Sequence, residues 1–230
     1  MPNVIVTSDR PVALFGGAGA EKEVVNAVLA LCGPVAAADG GADVALAHGI
    51  VPQAVIGDMD SLSAAGRAAI PPGSIHGITE QETTDFDKAL RSIAAPLIIG
   101  AGFHGARMDH QLAAFTVLAR HADRRCLLAG PEDCVCLMPP RIELQATPGE
   151  FLSLFPLGPV MGRSEGLEWP IDGIAMTPAG RGGTSNRVTA ERVVIEVDAP
   201  LMLLIRPRAA LAGSARALMA APARWPAPAR

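Results

Sequence analysis

The segment Pro52–Leu90, which reads PQAVIGDMDSLSAAGRAAIPPGSIHGITEQETTDFDKAL, decides the fold of the first half of the chain. Its apolar run Ala54–Ile56 predicts a buried strand that opens into a loop. Asp58 and Asp60 stand in that loop, and Asp85 stands at the start of a predicted helix. Strand ends and helix starts are where α/β folds gather ligand groups. The segment therefore predicts an acidic site in an α/β fold.

Carboxylates that are gathered in one place need a counter-charge. Two of them about 5 Å apart repel each other by roughly 3 kcal/mol at an effective dielectric constant of about 20. Mg²⁺ prefers oxygen ligands, relieves such repulsion and usually binds together with phosphates. The acidic residues thus indicate a magnesium site for a phosphate compound.

Each acidic pair also has a purely structural interpretation. An extended loop would point Asp58 and Asp60 to the same side and Met59 to the core. The alternative is an Asx-turn followed by a helix cap at Ser61 or Ser63. Later in the segment, Thr84 and Asp87 resemble a capping box, which leaves Asp85 free to pair with Lys88. That pair is either exposed and of little energetic value or faces a phosphate.

Composition excludes several classes of function. The chain has 230 residues, a formal net charge of -4 and 3% aromatic residues, which argues against a nucleic-acid surface. No apolar run approaches the roughly 18 residues of a membrane span. Residues 1–9 lack the features of a secretory signal, so we expect a cytoplasmic protein. The four cysteines form no metal-binding pattern and are interpreted as reduced core residues.

The order of the predicted elements indicates two domains. Apolar strands alternate with helical segments up to about residue 130, and short β runs between Gly and Pro turns follow. We expect an N-terminal three-layer α/β/α domain with a mainly parallel sheet over residues 1–132. A C-terminal all-β sandwich or barrel domain should span 133–208. Residues 209–230, rich in Ala, Arg and Pro, are expected to form a frayed helix or flexible tail.

Other candidate residues leave alternatives open. Gly16–Gly19 are either a tight turn between strand and helix or a loop that phosphate oxygens approach. Asp39, beside two glycines, suits a ribose hydroxyl, a phosphate loop or a plain helix cap. His110 is either a base or an ordinary residue at a helix end. Trp169 either packs in the core or forms a flat wall for an aromatic ligand.

Taken in order, the motifs resemble the thiamin pyrophosphokinase family. The matching stretches, which span roughly residues 12–206, are ADGGAD (38–43), PQAVIGDMDS (52–61), QETTDFDKAL (81–90), GARMDH (105–110), SLFP (153–156), GLEW (166–169) and GTSN (183–186). The chain departs from the family pattern at Asp43, where Asn is usual. The resemblance implies an α/β catalytic domain, a C-terminal β domain and a homodimer with active sites at the interface.

The resemblance also implies transfer of the pyrophosphoryl group of Mg-ATP to the thiamin hydroxyl, with release of AMP. It assigns a role to each matching residue of the motifs. The catalytic residues would be Asp58, Asp60, Asp85 and Asp109, the first three as Mg²⁺ ligands. The ATP-binding residues would be Asp39, Gly40, Gly41, Gln81, Thr84, Lys88 and Arg107. The thiamin-binding residues would be Trp169, Ser185 and Asn186.

Two other functions are compatible with parts of this pattern. A pyrophosphokinase acting on another hydroxymethyl heterocycle, such as a pterin, would carry the same ATP motifs. A module that senses a nucleotide or thiamin without turnover would usually have lost acidic residues, whereas here the set is complete. For the proton of the acceptor hydroxyl, the sequence offers Asp60 or Asp109.

Overall fold

The computed structural model describes residues 4–105 and 107–227. Within it the chain forms two compact units. The first contains the residues up to 117 together with 128–131, and the second contains 118–127 together with the residues from 132 onward. The division at 131/132 lies beside the predicted domain boundary, while residues 118–127 belong to the second unit.

The secondary structure follows the predicted order. The strands are β1 Val6–Thr7, β2 Val12–Phe15, β3 Val35–Ala38, β4 Ala54–Gly57, β5 Ile75–Gly77, β6 Ile93–Ala94, β7 Ile98–Ala101, β8 Cys126–Ala129, β9 Asp133–Leu137, β10 Arg141–Gln145, β11 Phe151–Pro156, β12 Gly162–Glu165, β13 Gly183–Arg187, β14 Arg192–Val197 and β15 Met202–Pro207. The helices are α1 Lys22–Leu29, α2 Gly41–Ala47, α3 Ala64–Ala69, α4 Asp85–Ser92, α5 Met108–Arg120 and α6 Leu211–Ala220.

The first unit is an α/β structure built on a parallel sheet. Its strands β7, β2, β3, β4 and β5 lie in that order and pair in parallel. All residues of β2, β4 and β7 are buried, which explains their continuous apolar sequences. Because the paired strands are parallel, their carboxyl ends lie at one edge of the sheet. The predicted α/β domain with a mainly parallel sheet is confirmed.

The second unit is mainly β. It contains an antiparallel arrangement in the order β13-β11-β15-β9 and a three-stranded sheet in the order β10-β14-β12. The predicted all-β region is confirmed, although three of its strands were not predicted. Those strands, β10, β12 and β13, are rich in polar residues. These segments are strands because they pair with neighbouring strands, and their sequences contain no long apolar run.

The end of the chain differs from the expected frayed or flexible tail. Helix α6 buries Leu211, Ala215 and Leu218, among others. Arg125 donates hydrogen bonds to the carbonyls of Met219 and Ala221, at 3.0 and 2.7 Å, and so binds the helix end. The composition concealed this helix because small alanines, rather than large apolar residues, form much of its buried face.

A buried arginine holds the start of α6. Arg206 on β15 is 2% exposed, and its guanidinium lies 2.8 Å from a carboxylate oxygen of Glu150. It also donates to the hydroxyl of Ser214 on α6 at 3.3 Å and to the carbonyl of Gln145 at 3.2 Å. A buried charge is tolerated when it is paired and hydrogen-bonded in this way. The network connects β15, the end of β10 and the turn before β11 to α6.

Two further expectations concern composition. All four cysteines are free and buried, which confirms their placement in the core. In the described ranges, no helix combines the length and the apolar character needed to cross a bilayer.

The packing of α6 leads to a stability prediction. Leu218 is 2% exposed and its neighbour Met219 is 38% exposed. We expect Leu218→Ala to lower the free energy of unfolding by about 2–4 kcal/mol, because it leaves a cavity. Met219→Ala, the matched control, should change it by less than about 0.5 kcal/mol. Urea unfolding measures both values; equal small effects would mean that α6 is not packed.

Candidate functional site

Asp39 lies at the carboxyl end of β3 in an unusual environment. Its φ of 41° is in the left-handed region, which is uncommon for a residue with a side chain. The residue is 1% exposed, and its Oδ2 accepts a hydrogen bond of 3.1 Å from the Ser61 amide. Its Oδ1 is also buried and has no hydrogen-bond partner among the described residues. A buried carboxylate oxygen without a donor is energetically unfavourable unless a ligand satisfies it.

Three aspartates converge beside the ends of β3 and β4. One carboxylate oxygen from each of Asp39, Asp58 and Asp60 lies within 4.8 Å of the other two. We call these three residues the acidic cluster. The adjacent parallel strands bring them together, since Ala38 of β3 pairs with Ile56 of β4.

Gly57 leaves room for two aspartate side chains, Asp39 of the acidic cluster and Asp85 of α4. A Cβ atom at this position would lie 2.8 Å from the Cβ of Asp39 and 2.9 Å from Oδ1 of Asp85. Both distances are too short for a real side chain. The absence of a side chain at the end of β4 is therefore a condition for the site.

The loop after β4 combines the two interpretations made from the sequence. The Asp60 amide donates to Oδ1 of Asp58 at 3.3 Å, as in an Asx-turn, and both side chains still belong to the acidic cluster. The expected extended conformation is wrong, because Met59 has a φ of 68° and is only partly buried. Ser63 caps α3 by accepting from the Gly66 amide at 2.9 Å.

Asp43 has a structural contact. Its carboxylate accepts hydrogen bonds from the amide and the hydroxyl of Ser63, at 2.9 and 2.6 Å. It thereby connects α2 to the cap of α3. This contact gives the Asp a role at the position where the family usually has Asn.

Lys88 joins two of the predicted site residues. Its ammonium lies 2.9 Å from Oδ2 of Asp58 and 3.0 Å from Oδ1 of Asp85, and the lysine side chain is 1% exposed. Of the two interpretations of the Asp85–Lys88 pair, the exposed one is therefore excluded. Burial lowers the pKa of Lys88, but the hydrogen bonds and charges of Asp58 and Asp85 outweigh it and leave that pKa raised. Lys88 stays charged and holds both carboxylates in place.

The loop before α4 adds further contacts to Asp58. Gln81 donates to Oδ2 of Asp58 at 3.1 Å. The hydrogen bond from Lys88 is the main reason that the pKa of Asp58 lies below its ordinary value. Thr84 acts as the predicted helix cap, since its hydroxyl accepts from the Asp87 amide at 3.3 Å.

Sequence reasoning missed the residue that shapes this loop. Glu80 accepts from the amides of Glu82 and Thr83 at 2.9 and 3.2 Å and pairs with Arg91 at 2.8 Å. Its hydrogen bonds, first of all that from the Thr83 hydroxyl, lower its pKa to about 2. Glu80 thereby orders the turn that carries Gln81. No motif in the sequence marked it.

The structure changes the set of residues that would hold a cation. Asp39 was expected to line the ATP site, and Asp85 was expected to be the third metal ligand. The structure brings Asp39 into the acidic cluster, while Asp85 binds Lys88 and the Asp58 amide. Burial, above all, together with the nearby Asp85 and Asp60, raises the pKa of Asp39 to about 6.

The donor set fits a divalent cation such as Mg²⁺. Three carboxylates provide hard oxygen ligands within 4.8 Å of one another, and one of these residues, Asp39, has a buried oxygen without a donor among the described residues. A cation would satisfy that oxygen and reduce the repulsion among the three residues.

Two other predicted residues bind each other. Arg107 donates to both carboxylate oxygens of Asp109, at 3.2 and 2.6 Å, and the two side chains are 69% and 65% exposed. The arginine lowers the pKa of Asp109.

The predicted thiamin-binding residues lie in the second unit. The Trp169 residue is 51% exposed, so the core interpretation is wrong. Its backbone amide donates to Oδ1 of the buried Asn186 at 3.2 Å, and the Asn186 side-chain amide donates to the Trp169 carbonyl at 2.7 Å. Ser185 has a φ of 59°, and its amide donates to the Ser153 hydroxyl at 2.9 Å. Asn186 and Ser153 therefore fix the backbone around two exposed residues.

Comparison with known sequences extends this description. Residues 26–128 match the family described as thiamin pyrophosphokinase, catalytic domain, and residues 141–202 match the thiamin pyrophosphokinase vitamin B1 binding domain. Thiamine pyrophosphokinase 1 of Arabidopsis thaliana is 29% identical over 143 residues, which are 55% of this chain and 53% of that protein. Thiamine pyrophosphokinase 2 of rice (Oryza sativa subsp. japonica) is 28% identical over 181 residues, 69% of this chain and 66% of that protein. The matches therefore span only about half to two thirds of these relatives.

Solved structures show the same fold. Thiamin pyrophosphokinase from Candida albicans superposes with a TM-score of 0.74 at 14% identity, covering 90% of this chain and 97% of that one. The Bacillus subtilis thiamine pyrophosphokinase gives 0.71 at 20% identity, with 86% and 99% covered.

The fold and the site define an α/β protein with a carboxylate site suited to a divalent cation, together with a mainly β unit. The two matching domain families, in the same order along the chain, identify it further. The chain belongs to the thiamin pyrophosphokinase family.

The environment of Asp39 predicts a stabilising substitution. With a folded-state pKa of about 6 against an ordinary 3.8, ionisation of Asp39 opposes folding, so its contribution to stability falls as the pH rises from about 4 to 6. In EDTA at pH 7.5, Asp39→Asn should raise the free energy of unfolding by on the order of 2 kcal/mol. The gain should disappear near pH 4, and Asp60→Asn at the exposed position should gain less. A loss of stability at pH 7.5 would contradict this prediction.

The buried ammonium predicts the opposite effect. Lys88→Met keeps the length of the side chain but leaves Asp58 and Asp85 without their shared cation. Removing one partner of a buried ion pair costs about 3–5 kcal/mol. We expect a loss of this size in urea unfolding at pH 7.5, with Lys22→Met on α1 as the control that changes little. If Lys88→Met unfolds like the control, the ion pairs do not stabilise the fold.

Proposed function

We propose that this protein transfers the pyrophosphoryl group of ATP to the hydroxyl of thiamin, giving thiamin diphosphate and AMP. Membership of the family supports the reaction. The observation that carries the proposal is the acidic cluster, in which the buried Oδ1 of Asp39 lacks a donor among the described residues. Such an arrangement is expected of a site that is completed by a cation and its phosphate ligand.

In this proposal Asp39, Asp58 and Asp60 hold Mg²⁺. The ion, when bound, would neutralise phosphate oxygens and stabilise the charge that develops during transfer. Lys88 has a supporting role, because its ammonium is buried against two carboxylates. Asp85 and Gln81 keep Asp58 in a fixed orientation through Lys88 and through a direct hydrogen bond, respectively.

The chemical step requires an in-line attack. The thiamin hydroxyl oxygen forms a bond to the β-phosphorus of ATP, and the bond from that phosphorus to the oxygen bridging to the α-phosphate breaks, so AMP leaves. The hydroxyl proton would pass to a carboxylate, Asp60 or Asp109, and each of them would have a cationic partner: the bound ion for Asp60 and Arg107 for Asp109. Asp109 is bound by Arg107, which lowers its basicity. Positioning of the two substrates supplies much of the rate in reactions of this kind.

For thiamin, the proposal uses Trp169, Ser185 and Asn186. The exposed Trp169 offers a flat aromatic face to a heterocycle and its cationic ring. Asn186 supports the proposal indirectly, because it holds the backbone of Trp169 on both sides. A homodimer with active sites at the interface and a cytoplasmic location remain predictions from the resemblance and the sequence.

Product analysis tests the proposal. Incubation with thiamin, Mg²⁺ and ATP should release AMP in a thiamin-dependent manner, measured by phosphorus NMR. Asp60→Asn should lower turnover by roughly 100-fold or more, since it removes a group that acts at the transition state. It should also weaken Mn²⁺ binding, measured by electron paramagnetic resonance, while thermal unfolding stays near that of wild type.

The control for this experiment is Asp9→Asn, an exposed substitution outside the acidic cluster, which should retain full turnover. Release of ADP in place of AMP would eliminate pyrophosphoryl transfer. Full activity of Asp60→Asn would eliminate the assigned role of the acidic cluster.

A further inference from the structure

The ion pair between Glu80 and Arg91 attaches the loop before α4 to that helix. Glu80 lies in the loop that connects β5 to α4, and Arg91 lies in the last turn of α4. The Arg91 guanidinium is 2.8 Å from Oε1 of Glu80, and the two side chains are 26% and 34% exposed. An exposed ion pair contributes little to stability. This pair is partly buried, and its carboxylate makes several further contacts.

Both carboxylate oxygens of Glu80 accept hydrogen bonds. Oε2 accepts from the backbone amides of Glu82 and Thr83, at 2.9 and 3.2 Å, and Oε1 accepts from the Thr83 hydroxyl and from Arg91. Side chains that accept from amides two and three residues further on stabilise a turn. The hydrogen bond from the Thr83 hydroxyl is the main reason that the pKa of Glu80 is lowered to about 2, so the carboxylate is ionised at neutral pH. Ionised acceptors form the stronger hydrogen bonds.

Arg91 extends these contacts to a buried side chain of α4. Its second terminal nitrogen lies 3.6 Å from Oδ1 of Asp87, a residue that is 1% exposed. The Asp87 amide donates in turn to the hydroxyl of Thr84, the residue that caps α4. We call Glu80, Arg91 and Asp87 the clamp. The clamp joins the beginning of the loop to the helix that follows it.

Both segments that the clamp joins contact the same oxygen of Asp58. From the loop, the Gln81 side-chain amide donates to Oδ2 of Asp58 at 3.1 Å. From the helix, the Lys88 ammonium lies 2.9 Å from that oxygen. Two donors fix the direction of a carboxylate only while they keep their positions relative to each other. A rigid connection between the loop and the helix is therefore a condition for a fixed Asp58.

Gln81 depends on the clamp more than Lys88 does. The Lys88 side chain is 1% exposed and belongs to a helix, whereas Gln81 is exposed and belongs to a loop. A glutamine side chain loses rotamer freedom when it is fixed, so its hydrogen bond persists only if the backbone beneath it is already ordered. The contacts of Glu80, the residue directly before Gln81, supply that order. Partners of this kind orient the groups that bind a metal ion.

We propose that the clamp positions the cation site: it holds Gln81 against Asp58 and thereby fixes the orientation in which Asp58 joins the other two residues of the acidic cluster. The inference rests on the proposed function, because that function requires a cation at the acidic cluster. Glu80 and Arg91 are positioning residues in this proposal, since they act through Gln81 and not by contact with the cation.

The first test needs neither metal nor turnover. In EDTA, ¹⁵N–¹H spectra contain the side-chain amide resonances of Gln81, identified by their absence in Gln81→Ala. Glu80→Ala should move them toward the positions of a free glutamine. Glu80→Asp keeps two charged oxygens, and Asp is a residue that suits such turns, so it should restore them toward wild type. The matched control is Glu143→Ala, which removes an ion pair of the same length, 2.8 Å to Arg192, and should leave these resonances unchanged.

Manganese binding, measured by electron paramagnetic resonance, reports the consequence for the acidic cluster. Glu80→Ala should weaken Mn²⁺ binding about three- to tenfold, up to the loss of one hydrogen bond to a charged group. Gln81→Ala should weaken it by a similar factor. Because the clamp acts through Gln81, the double variant should bind no more weakly than Gln81→Ala alone. A clamp that only stabilises the fold would give independent losses that multiply.

Thermal unfolding shows whether each variant is folded. If Glu80→Ala does not fold, Arg91→Met takes its place, since it removes the contact with α4 and keeps the amide contacts of Glu80. It should move the Gln81 resonances in the same direction. Resonances that stay in place in the folded variant, or Mn²⁺ losses that multiply in the double variant, would overturn the inference.

AMP release separates this inference from the proposed function. A protein in which Glu80→Ala and Gln81→Ala weaken Mn²⁺ binding as expected, but which never releases AMP with thiamin, would support the inference and remove the function. Thiamin-dependent AMP release, with equal turnover and equal Mn²⁺ affinity in wild type and Glu80→Ala, would overturn the inference and leave the function in place. A wild-type protein that binds no Mn²⁺ would overturn both.

Discussion

The ammonium of Lys88, buried between Asp58 and Asp85, is the interaction on which the site depends. It joins the loop after β4 to the first turns of α4, two segments far apart in the sequence. Without it, two carboxylates would face each other in a poorly solvated place, and each would move toward solvent. With it, Asp58 is held in one position, next to Asp39 and Asp60 of the acidic cluster. The orientation of the cluster is therefore a consequence of one buried charge.

The parallel sheet supplies the rest of the arrangement. Adjacent strands β3 and β4 deliver Asp39 and Asp58 to the same edge, and the missing side chain of Gly57 leaves room for Asp39 and Asp85.

Much of this could be predicted from the sequence, for physical reasons. Strands such as β2 and β4 are buried completely, so their sequences are continuously apolar. The end of each apolar run therefore indicates where the strand ends. The capping residues Thr84 and Ser63 were predictable because capping is local chemistry. In contrast, β12 and β13 are polar, and only their pairing partners define them. The packing of helix α6 was not predicted, because its buried face combines small residues with Leu211 and Leu218 and because the buried Arg206 binds it through Ser214.

The sequence predicted which residues belong to the candidate site better than it predicted the contacts among them. The sequence identified the aspartates, but it could not tell that Asp39 would join Asp58 and Asp60 while Asp85 bound Lys88. That assignment depends on backbone torsions, such as the left-handed conformations of Asp39 and Met59, which leave no mark in a pattern of residue types. The resulting charge balance is informative. One buried ammonium binds two of the four aspartates, Asp58 and Asp85, and the most buried of the four, Asp39, keeps an oxygen without a donor among the described residues. A fold that tolerates this arrangement gives up stability locally, and the binding of a divalent cation would restore it. The energetic cost is therefore concentrated where a cation and its phosphates would bind.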